Sequence, residues 1–296
     1  MNVRISVIIP LYNKEKFIEE TLHSVLNQTF TDFEIVIVND GSTDGSVNII
    51  NLFNDDRIRV ITIGNGGVSN ARNIGIINAK FEWIALLDAD DTWGISYLQH
   101  SVDLINNNTE AQVIATNYFN DYKTRKITAL NLKTGYIDSY FKNPCINSSN
   151  SIIKKSLFIK VGYFNTSLKY GEDQHLWFRL AANCLIYFNS LPLVNYRMAD
   201  HQLSNSSFED RDLNSDLVSV IDELEIHTGD WQLFKNNYLF KYLRPYYICD
   251  NHLEQVRKIL DRMSPKSKCN MLFVFYILPR FLVKPLYKAF YTLKYT

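Results

Sequence analysis

The chain has 296 residues, 46% of them hydrophobic, which is enough for one large α/β domain with an appendage or for two small domains. Lysine plus arginine and aspartate plus glutamate each total 31, so the balanced charge excludes the overall positive field of a nucleic-acid-binding protein. No nucleic acid is therefore expected among the partners.

The cysteines and the N-terminus bear on where the protein works. The cysteines show no CxxC spacing and no framework pattern, which argues against a zinc site and against a disulfide-stapled secreted domain. They are expected to be reduced, buried thiols, at positions 145, 184, 249 and 269. The apolar run before Pro10 is too short for a signal peptide, so we expect the body of the protein in the cytoplasm.

Strands and helices are predicted to alternate up to Asp91. Short apolar, β-branched runs predict buried strands, and segments with apolar residues at helical spacing predict amphipathic helices between them. The strands are predicted at 5–9, 33–38, 57–63 and 83–87, and the helices at 15–27, 47–53 and 68–78. Short links in this order indicate a mostly parallel sheet with right-handed crossovers.

Each predicted strand ends in polar residues able to hold a ligand, at the edge where open α/β sheets bind ligands. They are Tyr12 and Asn13, Asp40 and Asp44, the Gly66 loop with Arg72, and Asp88 with Asp90. A nucleotide suits this crevice, with Asp40 accepting a hydrogen bond from the base and the phosphates lying near Arg72 and an ion. Taken singly, the same residues also fit turns, helix caps, loop glycines and a solvated helix charge.

Three carboxylates, Asp88, Asp90 and Asp91, directly follow the fourth predicted strand. Ala89 is too small to screen Asp88 from Asp90, so both can reach one hard cation or one sugar hydroxyl. Uncompensated carboxylates this close repel one another, whereas Mg²⁺ or Mn²⁺ neutralises them and bridges to nucleotide phosphates. The alternative is that Asp90 or Asp91 caps a helix beginning near Gly94.

A second acidic pair, Glu172 and Asp173, precedes a run with Leu176, Trp177 and Leu180 at helical spacing. The pair therefore lies at the N-terminus of a predicted helix, where the helix dipole keeps a carboxylate ionised and suited to act as a base. The alternative is an acidic helix start without chemistry. The other elements predicted beyond Asp91 are helices at 97–105 and 155–161, extended segments at 112–118, 151–154 and 193–197, and a hairpin up to Thr134.

The C-terminal part has helical patterns and no strand pattern, so we expect a main domain over 1–205 and a helical extension over 206–296. Its helices are predicted at 209–228, 231–243 and 251–262. Residues 265–296 contain six basic residues and no acidic one, with aromatics and leucines interleaved. This pattern suits an interfacial segment on an anionic membrane, and a helix packed on the body with a basic face is the open alternative.

In order and spacing, several motifs of the chain resemble those of bacterial family 2 glycosyltransferases. They are the opening strand 7–13, the helix end 24–29, the uracil-side loop 39–46, the glycine-rich segment 67–75, the DXD element Asp88-Ala89-Asp90, and the base motif 171–180. One departure is Asn39, where the family often has Asp. The resemblance implies an α/β protein of the GT-A fold, a Rossmann-like, mostly parallel sheet flanked by helices, followed here by the C-terminal helical extension.

The resemblance also implies a reaction and its residues. The reaction is inverting transfer from a UDP-sugar to a hydroxyl of a glycan or lipid-linked saccharide, with Mn²⁺ or Mg²⁺ as cofactor. Asp173 would take the acceptor proton, Glu172 would orient the loop or the acceptor, and the ion would be held by Asp90 with Asp88 and the late histidine His201. The donor-binding residues implied are Pro10, Tyr12, Asn13, Asp40, Ser42, Gly67, Arg72, Asp88 and Ala89.

By the same analogy, the acceptor is expected to belong to a cell-surface polysaccharide such as O-antigen or capsule. The protein itself is then expected to be peripheral to the inner face of the plasma membrane. Two other classes stay open. A sugar nucleotidylyltransferase normally has a basic glycine-rich loop directly after its first strand, which residues 11–14 lack. A non-catalytic sugar-binding or scaffolding protein of the same fold is disfavoured by the intact Asp88, Asp90 and Asp173.

Overall fold

A computed structural model describes residues 3–120, 126–127, 134–138, 140–142, 144–197, 211–227, 230–248 and 252–262. Contacts divide the chain into two compact units, Met1–His201 and Gln202–Thr296. His201 itself and the basic segment 265–296 lie outside the described residues, as does most of the hairpin expected before Thr134. None of the helices in the described part of the chain combines the length and apolarity needed to cross a membrane.

The first unit is built on a central sheet flanked by helices. Its strands are β1 Ile5–Leu11, β2 Phe33–Asp40, β3 Ile58–Ile63, β4 Trp83–Leu86, β5 Thr92–Trp93, β6 Val113–Asn120, β7 Lys126–Ile127, β8 Gly135–Tyr136, β9 Ser151–Lys154 and β10 Ile186–Tyr196. Its helices are α1 Ile18–Leu26, α2 Ser46–Ile50, α3 Val68–Asn78, α4 Tyr97–Asn107, α5 Lys155–Val161 and α6 Glu172–Asn183.

The sheet runs in the order β3-β2-β1-β4-β9-β6-β10-β5, with β7 beside β6 and β8 beside β10. The first four strands in this order are parallel to one another, and β9 runs antiparallel between β4 and β6. The mostly parallel α/β sheet predicted from the sequence is therefore confirmed. The sheet forms because β1 and β2 are apolar on both of their faces and bury both, as expected of central parallel strands.

The strand register places the polar strand ends at one edge. Ile8 of β1 lies opposite Val36 of β2 and opposite Leu86 of β4. The chain therefore leaves β4 for Asp88 at the level where β1 is still continuing towards Leu11. This shared edge holds the ends of β1, β2 and β4, and the candidate site is built there.

Close packing of α3 on the sheet depends on Gly75. A Cβ added there would lie 2.3 Å from Cγ2 of Ile8 and 3.4 Å from Cγ2 of Val38. We expect Gly75→Ala to destabilise the fold, because overpacking costs about 1–3 kcal/mol whereas helix propensity returns about 1 kcal/mol. Urea unfolding measures the change. Gly64→Ala, where a Cβ meets nothing within 4 Å, is the control, and an equal effect of both variants would contradict this packing.

Several predicted boundaries were wrong for identifiable reasons. Helix α1 begins at Ile18 instead of residue 15, because a turn precedes it in which the Lys14 carbonyl accepts hydrogen bonds from Phe17 N and Ile18 N. The helix predicted at 97–105 does begin at Tyr97, and the alternative start near Gly94 is wrong because β5 first pairs with β10. Neither Asp90 nor Asp91 therefore caps it. The last predicted strand begins at residue 186 instead of 193, because β10 pairs with β6 along most of its length.

The second unit contains helices but not the long helix expected over 209–228. Its described part, residues 211–227, contains only α7 Leu217–Val220, between 3₁₀ turns at Leu213–Ser215 and Ile221–Glu223. The chain breaks up here because the Asp212 and Asp216 carboxylates accept hydrogen bonds from Asn214 N and Val218 N, and such local bonds compete with a continuous helix. The remaining helices described in this unit are α8 Trp231–Ile248 and α9 Leu253–Arg262.

The thiol prediction holds in part. Cys145 and Cys184 are free, but only Cys145 is buried and Cys184 is half-buried. Cys249 and Cys269 lie outside the described residues.

Candidate active site

The loops that follow β1 and β2 are joined to each other by hydrogen bonds. Asn13, at φ +51°, accepts from Thr43 N at 2.8 Å through Oδ1, and its own N–H donates to Ser42 Oγ at 3.1 Å. One residue later, Lys14 N donates to Ser46 Oγ at 2.8 Å. Two strand ends thus form one braced rim of the site, which contains the predicted Asn13 and Ser42. Tyr12 stands exposed on this rim and Pro10 lies within β1.

Asp40, at the end of β2, anchors the glycine loop. Its side chain is only 3% exposed, and its two carboxylate oxygens accept hydrogen bonds from Gly66 N at 2.7 Å and Gly67 N at 2.9 Å. Gly67 has a φ of +87°, a backbone conformation that favours glycine. The structure therefore gives Asp40 a definite supporting role, and its contact with a nucleotide base stays a prediction.

Arg72 of α3 connects the two acidic motifs. Its Nη2 donates to Asp88 Oδ1 at 2.7 Å and its Nη1 donates to Glu172 Oε1 at 3.2 Å. Arg72 is 4% exposed and its guanidinium lies 5.2 Å from the centre of the Phe164 ring. Burial by itself lowers the pKa of Arg72, but Asp88 and Glu172 outweigh it and raise the pKa above its ordinary value. The interpretation of Arg72 as a solvated helix charge is wrong.

The sequence suggested that the carboxylates of Asp88 and Asp90 would repel one another without a bound metal ion. In the structure each of them has a cationic side chain as its partner. Asp88 is paired with Arg72, and Asp90 accepts from Lys14 Nζ at 2.5 Å. Protein cations thus compensate both members of the DXD-like element. Ala89 between them is buried, with its carbonyl accepting from Thr21 Oγ1 at 3.0 Å.

Asp91 has a separate, structural role. It is 1% exposed and accepts hydrogen bonds from Ser149 Oγ at 2.5 Å and from Arg197 N at 2.8 Å. Burial, together with the charges of Asp88 and Asp90, raises the pKa of Asp91 well above its ordinary value. We therefore assign Asp91 to holding β4 against the loops that carry Ser149 and Arg197.

The oxygen donors of Asp88 and Asp90 fit a hard divalent cation. Mg²⁺ and Mn²⁺ sites of this kind use one or two carboxylates and complete their ligand shell with substrate phosphates and water. Within the described ranges, no three His, Cys, Asp or Glu side chains are grouped closely enough to hold a metal ion. The predicted third ligand, His201, is outside those ranges. The assignment of a cation to Asp88 and Asp90 stays a prediction.

Glu172 and Asp173 lie at the start of α6, immediately after Gly171, which has a φ of +73°. Asp173 Oδ1 accepts from Gln174 N at 2.6 Å. Burial, reinforced by the charge of Asp173 and opposed by Arg72, raises the pKa of Glu172 to about 7, and burial likewise raises the pKa of Asp173. For Glu172, burial outweighs the lowering of the pKa that was expected from the helix dipole. A raised pKa suits a base that works near neutral pH.

Sequence reasoning missed Tyr196 at the end of β10. Burial and the carboxylates of Asp91, Asp88 and Asp173 raise the pKa of its hydroxyl above the ordinary value. Its ring meets that of Tyr118 edge-on, with centroids 6.2 Å apart. Tyr196 therefore lies close to the carboxylates of both acidic motifs. Its position at the end of a predicted strand could have marked it as a candidate site residue. Lys14, which follows Asn13 at another strand end, was missed in the same way.

The sheet and the two acidic pairs at its edge define a protein of the GT-A fold class. The chain belongs to glycosyl transferase family 2, whose family model matches residues 6–162. The resemblance inferred from the sequence motifs is thereby confirmed, although Glu172 and Asp173 lie beyond the matched residues.

Individual relatives agree with this assignment. Over 212 residues the chain is 32% identical to an uncharacterized glycosyltransferase of Rickettsia typhi, RT0329, a match that spans 69% of this chain and 66%, slightly less than two thirds, of that one. The crystal structure of S. aureus TarS 1–349 in complex with UDP-GlcNAc is 20% identical, with a TM-score of 0.70 over 88% of this chain and 79% of that one.

A second solved structure is the mannosyltransferase PcManGT from Pyrobaculum calidifontis in complex with GDP-Man and Mn²⁺. It is 18% identical, with a TM-score of 0.55 over 97% of this chain and 73% of that one. At these identities, PcManGT and TarS establish the shared fold, and the GT-A prediction is confirmed.

Proposed function

We propose that the protein is a metal-dependent, inverting glycosyltransferase that uses a UDP-sugar donor. The observation that carries the proposal is the bridge through Arg72, which contacts Asp88 at 2.7 Å and Glu172 at 3.2 Å. A leaving diphosphate and an acceptor base must lie on opposite sides of one reacting carbon. Arg72 is a single buried side chain that touches both acidic motifs and thereby holds them close to each other.

A nucleotide-sugar donor is supported by the neighbours and by the strand ends. TarS was solved with UDP-GlcNAc and PcManGT with GDP-Man and Mn²⁺, so proteins of this fold bind donors of both base types, and one of these two was solved with a divalent cation. In this chain the rim at Asn13 and Ser42 and the glycine loop held by Asp40 offer backbone and polar side-chain groups to a nucleoside. We propose a glycan or lipid-linked saccharide of a cell-surface polysaccharide as the acceptor, by analogy with the family.

In the proposed mechanism, Asp173 accepts the proton of the acceptor hydroxyl as that oxygen attacks the anomeric carbon from the face opposite the diphosphate. Glu172, held by Arg72, orients the start of α6 and hence Asp173. Asp90 and Asp88 would hold the cation, which would supply positive charge to stabilise the leaving UDP. Since the acceptor attacks directly, no covalent intermediate on the protein is required.

Ligand-dependent thermal unfolding tests the donor and ion sites together. We expect UDP with Mn²⁺ to raise the melting temperature by several degrees, since a ligand at a hundred times its Kd stabilises by about 2.7 kcal/mol. GDP, ADP and UDP without Mn²⁺ should give little shift, and Asp90→Ala should abolish the UDP response. Asp103→Ala, at an exposed position of α4, is the control. The absence of a shift with every nucleotide would favour the non-catalytic alternative, and a shift with GDP alone would contradict the UDP assignment.

We also propose that the basic segment 265–296 binds an anionic membrane surface at the inner face of the plasma membrane. Each basic residue near such a surface contributes about 1 kcal/mol, so deleting the segment should release the protein from membrane fractions. Sedimentation of the full chain and of the truncated chain measures this, and UDP binding of the truncated chain is the control for an intact site. Equal sedimentation of both forms would contradict membrane binding.

A further inference from the structure

Lys14 is placed on the acidic edge of the site by contacts at both ends. Its Nζ lies 2.5 Å from Asp90 Oδ2, with the two side chains 28% and 9% exposed. Its backbone N–H donates to Ser46 Oγ at 2.8 Å, and its carbonyl accepts from Phe17 N at 2.9 Å and Ile18 N at 3.0 Å as α1 begins. These backbone hydrogen bonds fix the position from which the Lys14 side chain extends, and its partner Asp90 is nearly buried. The contact therefore differs from an ion pair between two exposed side chains on a mobile surface.

The same Asp90 is the residue we assign to the cation. Magnesium sits about 2.0–2.1 Å from a carboxylate oxygen, so a cation bound at Asp90 Oδ2 and an ammonium on that same oxygen would be held in mutual repulsion. The formal charges of Asp88, Asp90, Lys14 and Arg72 cancel. A divalent cation that arrives alone therefore meets two carboxylates whose charge Lys14 and Arg72 already offset, which weakens its attraction to Asp90.

We propose that Lys14 is an internal competitor that occupies the cation position on Asp90 until the donor diphosphate draws its ammonium away. This inference rests on the proposed function, since the nucleotide sugar supplies the diphosphate. The flexible four-carbon stem of a lysine allows the ammonium to turn while the backbone stays fixed. The incoming phosphates provide the new partner for Lys14, and Asp90 is released to the cation. Cation and nucleotide therefore bind cooperatively, and each raises the affinity for the other by the same factor.

Direct measurement of Mn²⁺ binding to the full chain, by electron paramagnetic resonance of free Mn²⁺ without nucleotide, tests the competition. Lys14→Gln should bind Mn²⁺ about tenfold more tightly than the wild type, within the usual range of coupling between sites. Lys14→Arg, which keeps the charge, should bind as weakly as the wild type. Lys16→Gln, at an exposed position of the same loop, is the matched control and should leave the affinity unchanged.

Two further arms identify the site and the coupling. Adding Asp90→Asn to Lys14→Gln should remove the gained Mn²⁺ affinity, because the competition takes place on that carboxylate. Addition of UDP should increase the Mn²⁺ affinity of the wild type by about tenfold and that of Lys14→Gln much less.

Unchanged or weaker Mn²⁺ binding by Lys14→Gln would overturn the inference, including the case in which only the UDP affinity falls and Lys14 is simply a phosphate ligand. The measurement without nucleotide separates this inference from the proposed function. Tighter Mn²⁺ binding by Lys14→Gln without any effect of UDP would retain the competition at Asp90 and contradict the nucleotide-sugar donor. A UDP response of the wild type, without tighter Mn²⁺ binding by Lys14→Gln, would support the nucleotide-sugar donor and contradict the competition at Asp90.

Discussion

We expect Asp173→Asn to lower kcat for sugar transfer by about 10²–10⁴-fold, the usual contribution of a general base, while UDP binding is retained. Asparagine keeps the size of the side chain and an oxygen able to accept from Gln174 N, but it cannot take a proton. Arg72 reaches Glu172 and Asp88, so its contacts should survive the change. Parallel measurements of UDP binding and of transfer distinguish a lost base from a lost site, and normal transfer by the variant would contradict the assignment.

A pH profile provides a control for the same assignment. Burial raises the pKa of Glu172 to about 7 and raises that of Asp173, with Arg72 and Asp88 as the other charged groups acting on them. A protonated base is inactive, and burial raises the pKa of Asp173, so transfer should be lost on acidification at a higher pH than an exposed aspartate would give. Glu172→Gln removes a negative charge beside Asp173 and should move the acid limb to lower pH. An acid limb unchanged by that substitution would argue that another group controls it.

We expect Arg72→Met to cost about 3–5 kcal/mol of unfolding free energy, because it leaves Asp88 and Glu172 without their buried counter-charge. The side chain of Glu172 is only 14% exposed, so water compensates little of the loss there, and more of it at Asp88, which is 27% exposed. The deficit should shrink in mild acid. Without Arg72, the pKa of Glu172 in the folded protein rises further above its value in the unfolded chain. The folded protein then binds a proton more readily than the unfolded chain, so acid stabilises the variant.

Urea unfolding of Arg72→Met at neutral and mildly acidic pH measures both effects. Arg57→Met is the matched control, since Arg57 pairs with Asp55 and the two side chains are 28% and 25% exposed. Such a surface pair contributes about 0–1 kcal/mol. Adding Glu172→Gln to Arg72→Met should recover part of the lost stability. A cost for Arg72→Met as small as that for Arg57→Met would contradict the bridging role.

Local signals in the sequence were sufficient for several elements, among them α3, which carries Arg72. Helix α3, strand β9 and helix α5 have the predicted bounds, because apolar periodicity and closing glycines act within a few residues. The opening turn of α1 and the broken helices of the second unit were missed. There, side-chain oxygens and turns compete locally with the helical pattern, as Asp216 does.

The charge partners within the site could not be read from the sequence. Arg72 and Glu172 are 100 residues apart, and Lys14 and Asp90 are 76 apart. Which cation meets which carboxylate depends on the strand order and on the depth at which each helix packs. The same applies to the pKa of Glu172, where the predicted dipole effect was outweighed by burial that only the folded chain produces.

The most direct test of the proposed activity is the release of UDP from UDP-sugars in the presence of Mn²⁺ and cell-surface saccharide acceptors, measured for the wild type and for Asp90→Ala. We predict acceptor-dependent release by the wild type with one UDP-sugar and background release by Asp90→Ala, since that variant loses its cation ligand. Equal release by both proteins would contradict the assigned ion site, and no release by the wild type from any UDP-sugar would contradict the proposed transferase.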